Sequence, residues 1–178
     1  TVNEDKGLIR YLMRHSHTSP FEGVELKLHV KLPIFVARQM IRHRTCSLNE
    51  ISGRYSIMKD EFYIPSPDNI RKQSTTNKQG GDEPIDLELA KEYSEQIELM
   101  CDDSYKKYIE MLDAGVSREQ ARMLLPLNLY TEWYWKQDLH NLLHFLALRA
   151  DSHAQQEIRV YAEAIIQLIT PLVPWTIE

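Results

Sequence analysis

The stretch from 24 to 32 limits the fold more than any other part of the chain, because apolar and polar residues alternate in it without a break. An alternation of period two is typical of a strand that buries one face. Pro33 follows directly, and proline is favoured in the first turn of a helix. Apolar residues then recur at helical spacing up to Ile41. The sequence therefore predicts a strand that leads into a helix, which we expect to end near Arg44, where cations favour the negative end of the helix dipole.

The polar stretch from 42 to 56, which this helix would deliver to a fixed place, is the candidate binding site. It is rich in arginine, and arginine forks bind phosphate or carboxylate in a bidentate manner. If the chain runs extended here, Glu50, Ser52 and Arg54 point to one side, and Gly53 lets a ligand approach the backbone. We expect a small anionic ligand at this stretch, and a solvated basic loop is the alternative.

Composition restricts the class of protein and its partners. A chain of 178 residues is long enough for a sizeable core, and we expect one domain over 1–178. The net charge of −5 argues against nucleic-acid binding, and neither a membrane-spanning run nor a signal peptide occurs in the sequence. Two cysteines do not make a disulfide framework, which indicates a reducing compartment, and we expect a cytoplasmic protein. Because the chain begins at Thr1 without a methionine, we also expect a missing N-terminal segment.

The remaining patterns predict several further elements. Extended patterns at 62–64 and 127–135 predict two strands, and the polar segment 65–81 predicts a mobile surface loop. Helical spacing predicts helices over 8–13, 84–114, 117–126, 139–150 and 158–169. The helix from Pro84 is long for so small a domain, so we expect part of it to pack against another subunit. The predicted fold is therefore α+β, with an antiparallel or mixed sheet packed with long helices.

The chemistry that the residues alone allow stays open between several classes. The sequence contains no glycine-rich phosphate loop. Cys46 lies among arginines, which favour a thiolate, so the spacing permits a cysteine nucleophile. His140 and His144 lie one helical turn apart, with Asp151 on nearly the same bearing, so a metal-dependent phosphohydrolase is one alternative. A non-catalytic nucleotide-binding module that uses the basic stretch is another.

Several motifs resemble one known family. Arg42-His43-Arg44, followed after seven residues by Ser52, looks like the signature of the flavin-dependent thymidylate synthases. The similarity continues through 49–56 and recurs, in order along the chain, at 15–22, 125–131 and 148–155. The chain is therefore identified as a member of this family.

The resemblance implies an activity and an assembly. The family methylates dUMP to dTMP, with methylenetetrahydrofolate as the carbon donor and FAD, reduced by NADPH, as the hydride carrier. Its members are α+β homotetramers whose active sites are shared between subunits. The expected partners are therefore these small molecules and further copies of the chain, and no metal ion is expected.

The resemblance also implies the residues of the site. Arg149 would stabilise negative charge on the uracil ring, which is a catalytic role by electrostatics, and His17 would line the entrance for folate and flavin. The dUMP contacts would be Gln39, Met40, Ile41, Arg42, Glu50, Ile51, Ser52, Gly53, Arg54, Arg122 and Arg149. The FAD contacts would be Ser19, Arg42, His43, Arg44, Glu50, Asp138, Leu139, His140 and His144.

The chain departs from the family pattern at a few positions. Gly23 stands where some members have histidine, while Asp138 and His140 stand where some have asparagine and arginine. The family also has a strand and a loop before the first helix that contribute to the flavin site. The flavin contacts from these places are therefore the least defined part of the expected site.

Overall fold

The computed structural model describes residues 1–177 and shows an α+β fold, as the sequence predicts. The helices are α1 (Val2–Arg14), α2 (Ser19–Glu22), α3 (Ile34–Met40), α4 (Leu87–Asp113), α5 (Arg118–Ala121), α6 (Leu139–Arg149), α7 (Gln156–Ile169) and α8 (Pro174–Ile177). The strands are β1 (Glu25–Pro33), β2 (Ser47–Glu50), β3 (Arg71–Gln73), β4 (Gly81–Pro84) and β5 (Tyr130–Asp138).

The chain forms two compact units. Unit 1 comprises Thr1–Leu28, Arg42–Leu48 and the chain from Trp135 onwards. Unit 2 comprises His29–Ile41 and Asn49–Tyr134. The expectation of one catalytic domain over 1–178 stays a prediction.

The strands β1 and β5 each bury one face, which confirms the alternation. In β1, Leu32 is fully buried whereas its neighbour Lys31 is exposed. In β5, every second residue from Thr131 to Gln137 is buried. The strand begins at Tyr130 rather than at the predicted Leu127, because a turn closed by the Leu129 N–H on the Pro126 carbonyl precedes it. The sheet order is β1-β5-β2, so β5 is the central strand.

The helix α3 ends earlier than predicted. It stops at Met40, and the N–H of Ile41 closes its last turn on the Ala37 carbonyl. The residues from 41 to 45 bury no side chain, and helices in proteins depend on the burial of an apolar face for most of their stability. The predicted end near Arg44 is therefore wrong.

The segment 65–81 is not the structureless loop that its composition predicts. It contains a short 3-10 turn at Pro67–Asn69 and the strand β3, which pairs antiparallel with β4. The buried hydroxyl of Ser74 accepts the Asn77 N–H at 2.9 Å, so side-chain oxygens close the turn between the strands. The expected mobility of the segment stays a prediction.

Two smaller predictions are also wrong. The stretch 62–64 is not a strand, because only Phe62 forms an isolated bridge, to Leu129. The spacing of Ser117 and Gln120 in the sequence predicts a capping box for the short helix after 117, but none is formed, because the Ser117 hydroxyl bonds the side chain of Gln120 and not the backbone.

The long helix α4 is confirmed, with slightly shifted ends. It begins after Asp86, whose Oδ1 accepts the N–H groups of Glu88 and Leu89, and a glycine with φ of +84° follows it at 115. Its buried residues are Ala90, Cys101 and Tyr108. Its exposed large apolar residues are Leu87, Leu89, Tyr93, Leu99 and Met100. Among residues 1–177, none of the helices combines the length and apolar character of a transmembrane span.

In unit 2, two tyrosines of α4 fix the backbone at Met58. The Tyr108 hydroxyl accepts the Met58 N–H at 3.1 Å, and the Tyr105 hydroxyl donates to the Met58 carbonyl at 3.0 Å. Tyr108, Met58 and Leu129 are buried in the same apolar cluster. The peptide groups on both sides of Met58 are thereby satisfied inside the core.

In unit 1, the core forms around α6 and α7, which pack together. The ring of Trp135 from β5 lies edge-on to Phe145 of α6, with centroids 5.1 Å apart. The N–H of Leu139, the first residue of α6, donates to the Val24 carbonyl at 2.8 Å. The position of α6 is therefore set both by ring packing and by a backbone hydrogen bond.

The bond from Met58 to Tyr108 gives a stability prediction. Tyr108→Phe should leave a buried N–H without a partner, which costs about 1–3 kcal/mol and lowers the melting temperature by about 2–10 °C in a chain of this size. Tyr11→Phe, at a residue that is 54% exposed, is the matched control and should change little. Equal melting temperatures for both variants, measured by circular dichroism, would show that the hydroxyl of Tyr108 does not contribute to the stability of the fold.

Candidate functional site

Unit 2 contains a cavity of about 350 Å³ whose wall gathers part of the predicted nucleotide site. The predicted residues in this wall are Glu50, Ile51, Ser52, Gly53 and Arg122. The other lining residues are Ile34, Met58, Leu125, Leu129 and Thr131. The wall of the cavity therefore combines charged and polar side chains with apolar ones.

The strand β2 delivers the polar side of the cavity. Its end is fixed to β5 because the Ile51 N–H donates to the Glu132 carbonyl at 2.9 Å. The chain then turns, since the Ser52 carbonyl accepts the N–H of Tyr55 at 3.1 Å. Ser52 Oγ also accepts the N–H of Arg54 at 3.2 Å.

This turn overturns one prediction from the sequence. Glu50, Ser52 and Arg54 do not form a row along one side of a strand, because the extended chain ends before Gly53. The exposed guanidinium of Arg54 instead pairs with Glu119 at 3.2 Å. Arg54 is therefore not part of the cavity wall.

Gly53 is required by the close approach of two side chains. A Cβ at this position would lie 3.2 Å from the Met58 sulfur and 3.4 Å from Cδ of Arg122. Both neighbours line the cavity. An added Cβ would therefore require the Met58 side chain in the wall to shift by a few tenths of an ångström.

Thr131 is the polar residue of this site that the sequence reasoning missed. Its hydroxyl donates to Glu50 Oε1 at 2.6 Å, and the residue is only 2% exposed. The sequence does contain a pattern that points to Thr131, because the alternation of β5 puts this polar residue on the buried face beside Trp133 and Trp135. A buried polar residue on an apolar face needs a partner, and that partner is Glu50.

A second group of predicted residues comes together in unit 1. The Arg149 Nε donates to His43 Nε2 at 3.1 Å. The His43 ring lies edge-on to Phe145, with centroids 4.9 Å apart, and its centroid is 6.1 Å from that of His144. Arg149 is thus held by a histidine 106 positions away in sequence.

The surroundings of His43 favour its neutral form. Partial burial lowers the pKa of His43 below its ordinary value of 6.5, and the charges of Arg149 and His144 lower it further. The hydrogen bond agrees, because Nε2 accepts the Arg149 proton only while it carries none itself. His43 is therefore a fixed acceptor for Arg149 and keeps Nδ1–H as a donor.

The other predicted contacts have a range of local roles. Asp138 caps α6 by accepting the Asn141 N–H at 2.9 Å. Burial alone would raise the pKa of Asp138, but the hydrogen bonds from Asn141 outweigh it and lower the pKa. Leu139 and Met40 are buried, so only their backbones can meet a ligand, and Gln39 is half-buried. The exposed members are Ser19, Ile41, Arg42, Arg44 and His140.

The alternative chemistries find little support in the geometry. Within residues 1–177, no group of three histidine, cysteine or acidic side chains is arranged to hold a metal ion. Asp151 Oδ1 instead accepts the backbone N–H of His153 at 2.8 Å. The Cys46 Sγ donates to the His43 carbonyl at 3.2 Å, so it helps to shape the turn that carries His43.

Comparison with known proteins identifies the family. The family model described as thymidylate synthase complementing protein matches residues 1–175. The chain belongs to this family. Curated relatives named flavin-dependent thymidylate synthase confirm the resemblance that the motifs suggest. The protein from Dictyostelium discoideum is 56% identical over 177 residues, and that from Gluconobacter oxydans is 54% identical over 178 residues.

The match to these two relatives covers nearly all of this chain but only part of each relative. It covers 99% of this chain and 58% of the Dictyostelium protein, and 98% of this chain and 59% of the Gluconobacter protein. The chain therefore spans about three fifths of the length of the curated relatives it matches.

A solved structure has the same fold as this chain. A UMP/dUMP methylase, PolB from Streptomyces cacaoi, bound with 5-Br UMP, superposes with a TM-score of 0.93 at 33% identity. The match covers 98% of this chain and 80% of the methylase. The same methylase bound with 5-Br dUMP gives a TM-score of 0.90. The predicted α+β class is thereby confirmed against an experimental structure.

The neutral state of His43 can be tested directly by NMR. The pKa of its ring should lie below 6.5, and Arg149→Met should raise it because a positive charge is removed. Arg14→Met, on the exposed end of α1, is the control and should leave it unchanged. A pKa at or above 6.5 in the wild type, or no response to Arg149→Met, would contradict the assignment.

The lowered pKa of His43 also makes the free energy of unfolding depend on pH in a defined direction. Between the lowered pKa of folded His43 and 6.5, the unfolded chain binds more protons than the folded chain. The contribution of this group to the free energy of unfolding is therefore complete above 6.5 and declines as the pH falls through that window.

Proposed function

We propose that the protein acts as a flavin-dependent thymidylate synthase. In this reaction dUMP is methylated to dTMP, methylenetetrahydrofolate supplies the carbon, and FAD reduced by NADPH supplies the hydride. The printed names of the curated relatives support this activity. The methylase of the same fold, bound with 5-Br UMP or 5-Br dUMP, supports a uridine nucleotide as the substrate.

The observation that carries the proposal is the cavity of unit 2. Its volume of about 350 Å³ lies within the usual range for small-molecule sites. Its wall joins Glu50, Ser52 and Gly53 of the family motif to Arg122, which is distant in sequence. A nucleotide needs this combination of a cation, hydrogen-bond donors and acceptors, and an apolar surface.

Each part of the wall suits one part of dUMP. The guanidinium of Arg122 can pair with the phosphate. The carboxylate of Glu50 can only accept hydrogen bonds when it is ionised, so it suits a sugar hydroxyl or a ring N–H. The apolar side chains of Leu125 and Leu129 suit a ring face. In this arrangement Ser52 binds the substrate and is not a nucleophile.

The donor set around His43 fits a flavin nucleotide. Arg42 and Arg44 are exposed cations beside this histidine in sequence, and they suit a pyrophosphate. His43 offers Nδ1–H as a neutral donor. The first turn of α6 offers the backbone N–H of His140, since those of Leu139 and Asn141 already donate to Val24 and Asp138. When bound, FAD would supply the hydride that reduces the transferred carbon to a methyl group.

Arg149 is proposed to favour the anionic form of the uracil ring. Its guanidinium is always charged, and its Nε is occupied by His43. The two terminal nitrogens of the fork can therefore still donate to an oxygen that gains charge. His43 would act as the acceptor that keeps the fork in one orientation.

A homotetramer is proposed as the assembly. The support is the row of exposed apolar residues on α4, where Leu89, Tyr93 and Met100 are 40%, 43% and 52% exposed. Large apolar patches on a protein surface commonly mark interfaces.

The activity is tested by turnover of the whole protein. We expect a yellow protein that converts dUMP to dTMP when methylenetetrahydrofolate, NADPH and FAD are supplied, with dTMP measured by mass spectrometry. Arg149→Met should lower turnover without unfolding the protein. A colourless protein that binds dUMP without turnover would instead support the nucleotide-binding module, and phosphate release from dUMP would support a phosphohydrolase.

The role of Arg122 is tested by nucleotide binding. Arg122→Ala should raise the Kd for dUMP at least about ten-fold, because a hydrogen bond to a charged group is worth about 1.5–3 kcal/mol. Arg118→Ala is the matched control, since this exposed arginine lies one helical turn earlier and outside the cavity wall. Equal effects of the two substitutions in calorimetry would mean that the cavity does not hold the phosphate.

A further inference from the structure

The inference concerns the hydroxyl of Thr131, which lies between the core and the cavity of unit 2. Thr131 is 2% exposed, and its hydroxyl donates to Glu50 Oε1 at 2.6 Å. A hydroxyl has one proton to donate, and here that proton goes to Glu50. Both residues line the cavity.

The backbones on both sides of this contact are already fixed. Thr131 belongs to the central strand of the sheet, and the next residue, Glu132, accepts the Ile51 N–H at 2.9 Å. The main chain at Glu50 therefore cannot drift away from β5. What stays variable is the side chain of Glu50, which belongs to an exposed residue with several rotatable bonds.

The Thr131 hydroxyl restrains the Glu50 side chain through only one of its two carboxylate oxygens. It holds Oε1, which leaves Oε2 of the same carboxylate to a ligand in the cavity. An ionised carboxylate accepts hydrogen bonds and donates none, so Oε2 selects an O–H or an N–H of the ligand. Preorganised groups bind better because less side-chain entropy is lost on association.

We propose that Thr131 is a positioning residue that orients Glu50 toward the nucleotide. This inference rests on the proposed function, in which the cavity binds dUMP. It adds to that function a residue that lies outside the basic motif and acts through another side chain.

Two substitutions of Thr131 separate positioning from a merely structural role. Thr131→Val keeps the buried volume but removes the hydroxyl, whereas Thr131→Ser keeps the hydroxyl but removes a buried methyl group. A structural role predicts that serine is the more damaging change for both stability and binding. Positioning predicts the opposite order for dUMP affinity, whatever the order of the melting temperatures.

The experiment measures dUMP binding by calorimetry for the wild type and both variants, with melting temperatures as the folding control. Thr131→Val should raise the Kd about ten-fold, because it removes a hydrogen bond to a charged group. Thr131→Ser should stay within about three-fold of the wild type. The Glu50→Ala background completes a double-mutant cycle, and there Thr131→Val should cause no further loss.

Each other outcome has a defined meaning. If the wild type binds dUMP and Thr131→Val binds it equally well, the positioning role is overturned and the proposed function stands. The same holds if Thr131→Val causes the same loss in the Glu50→Ala background, or if serine proves worse than valine for binding. If the wild type does not bind dUMP, the proposed nucleotide site fails, and the positioning role fails with it.

Discussion

The one-sided burial of β5 is the constraint on which both groups of candidate side chains depend. Toward its start, Thr131 holds the carboxylate of Glu50, and the neighbouring carbonyl holds the backbone of Ile51. Toward its end, Trp135 packs on Phe145, whose ring in turn lies edge-on to His43. In each unit, therefore, a buried residue of this strand supports a polar group that a ligand can reach.

The two groups differ in their electrostatics, and the difference suits different tasks. In the cavity of unit 2, a carboxylate and a guanidinium line a pocket that also has apolar side chains in its wall, which is how a small site binds a ligand with an anionic end and a neutral ring. In unit 1, burial and nearby positive charge lower the pKa of His43 and so favour its neutral form. A neutral imidazole can hold Arg149 without cancelling its charge, which a carboxylate partner would do.

Much of the architecture could be predicted from the periodic spacing of apolar residues alone. The alternation before Pro33 predicts β1, and the spacing after Asp86 predicts α4, because both elements bury one face. Two of the failures, in the segment 65–81 and at the turn after Glu50, lie where side chains bond to the backbone. Ser74 and Ser52 both accept N–H groups in turns, and such local bonds have no period that a sequence pattern can show.

The site could be predicted in composition but not in arrangement. Residues 50 to 53 of the motif lie together in the wall of one cavity, whereas the pairing of Arg149 with His43 joins positions 106 apart, which no spacing rule connects. Thr131 lies on a strand face that the alternation did predict. What the sequence could not reveal is that its partner would be Glu50 and that both would face a cavity.

The central claim is that the cavity of unit 2 holds a uridine nucleotide, and anomalous diffraction tests it most directly. Crystals of the protein with 5-bromo-dUMP would locate the bromine and the phosphate independently of activity. The account predicts a nucleotide enclosed by Glu50, Ser52, Gly53 and Arg122, with its phosphate at the guanidinium. A fully occupied nucleotide that contacts none of these four residues would contradict it.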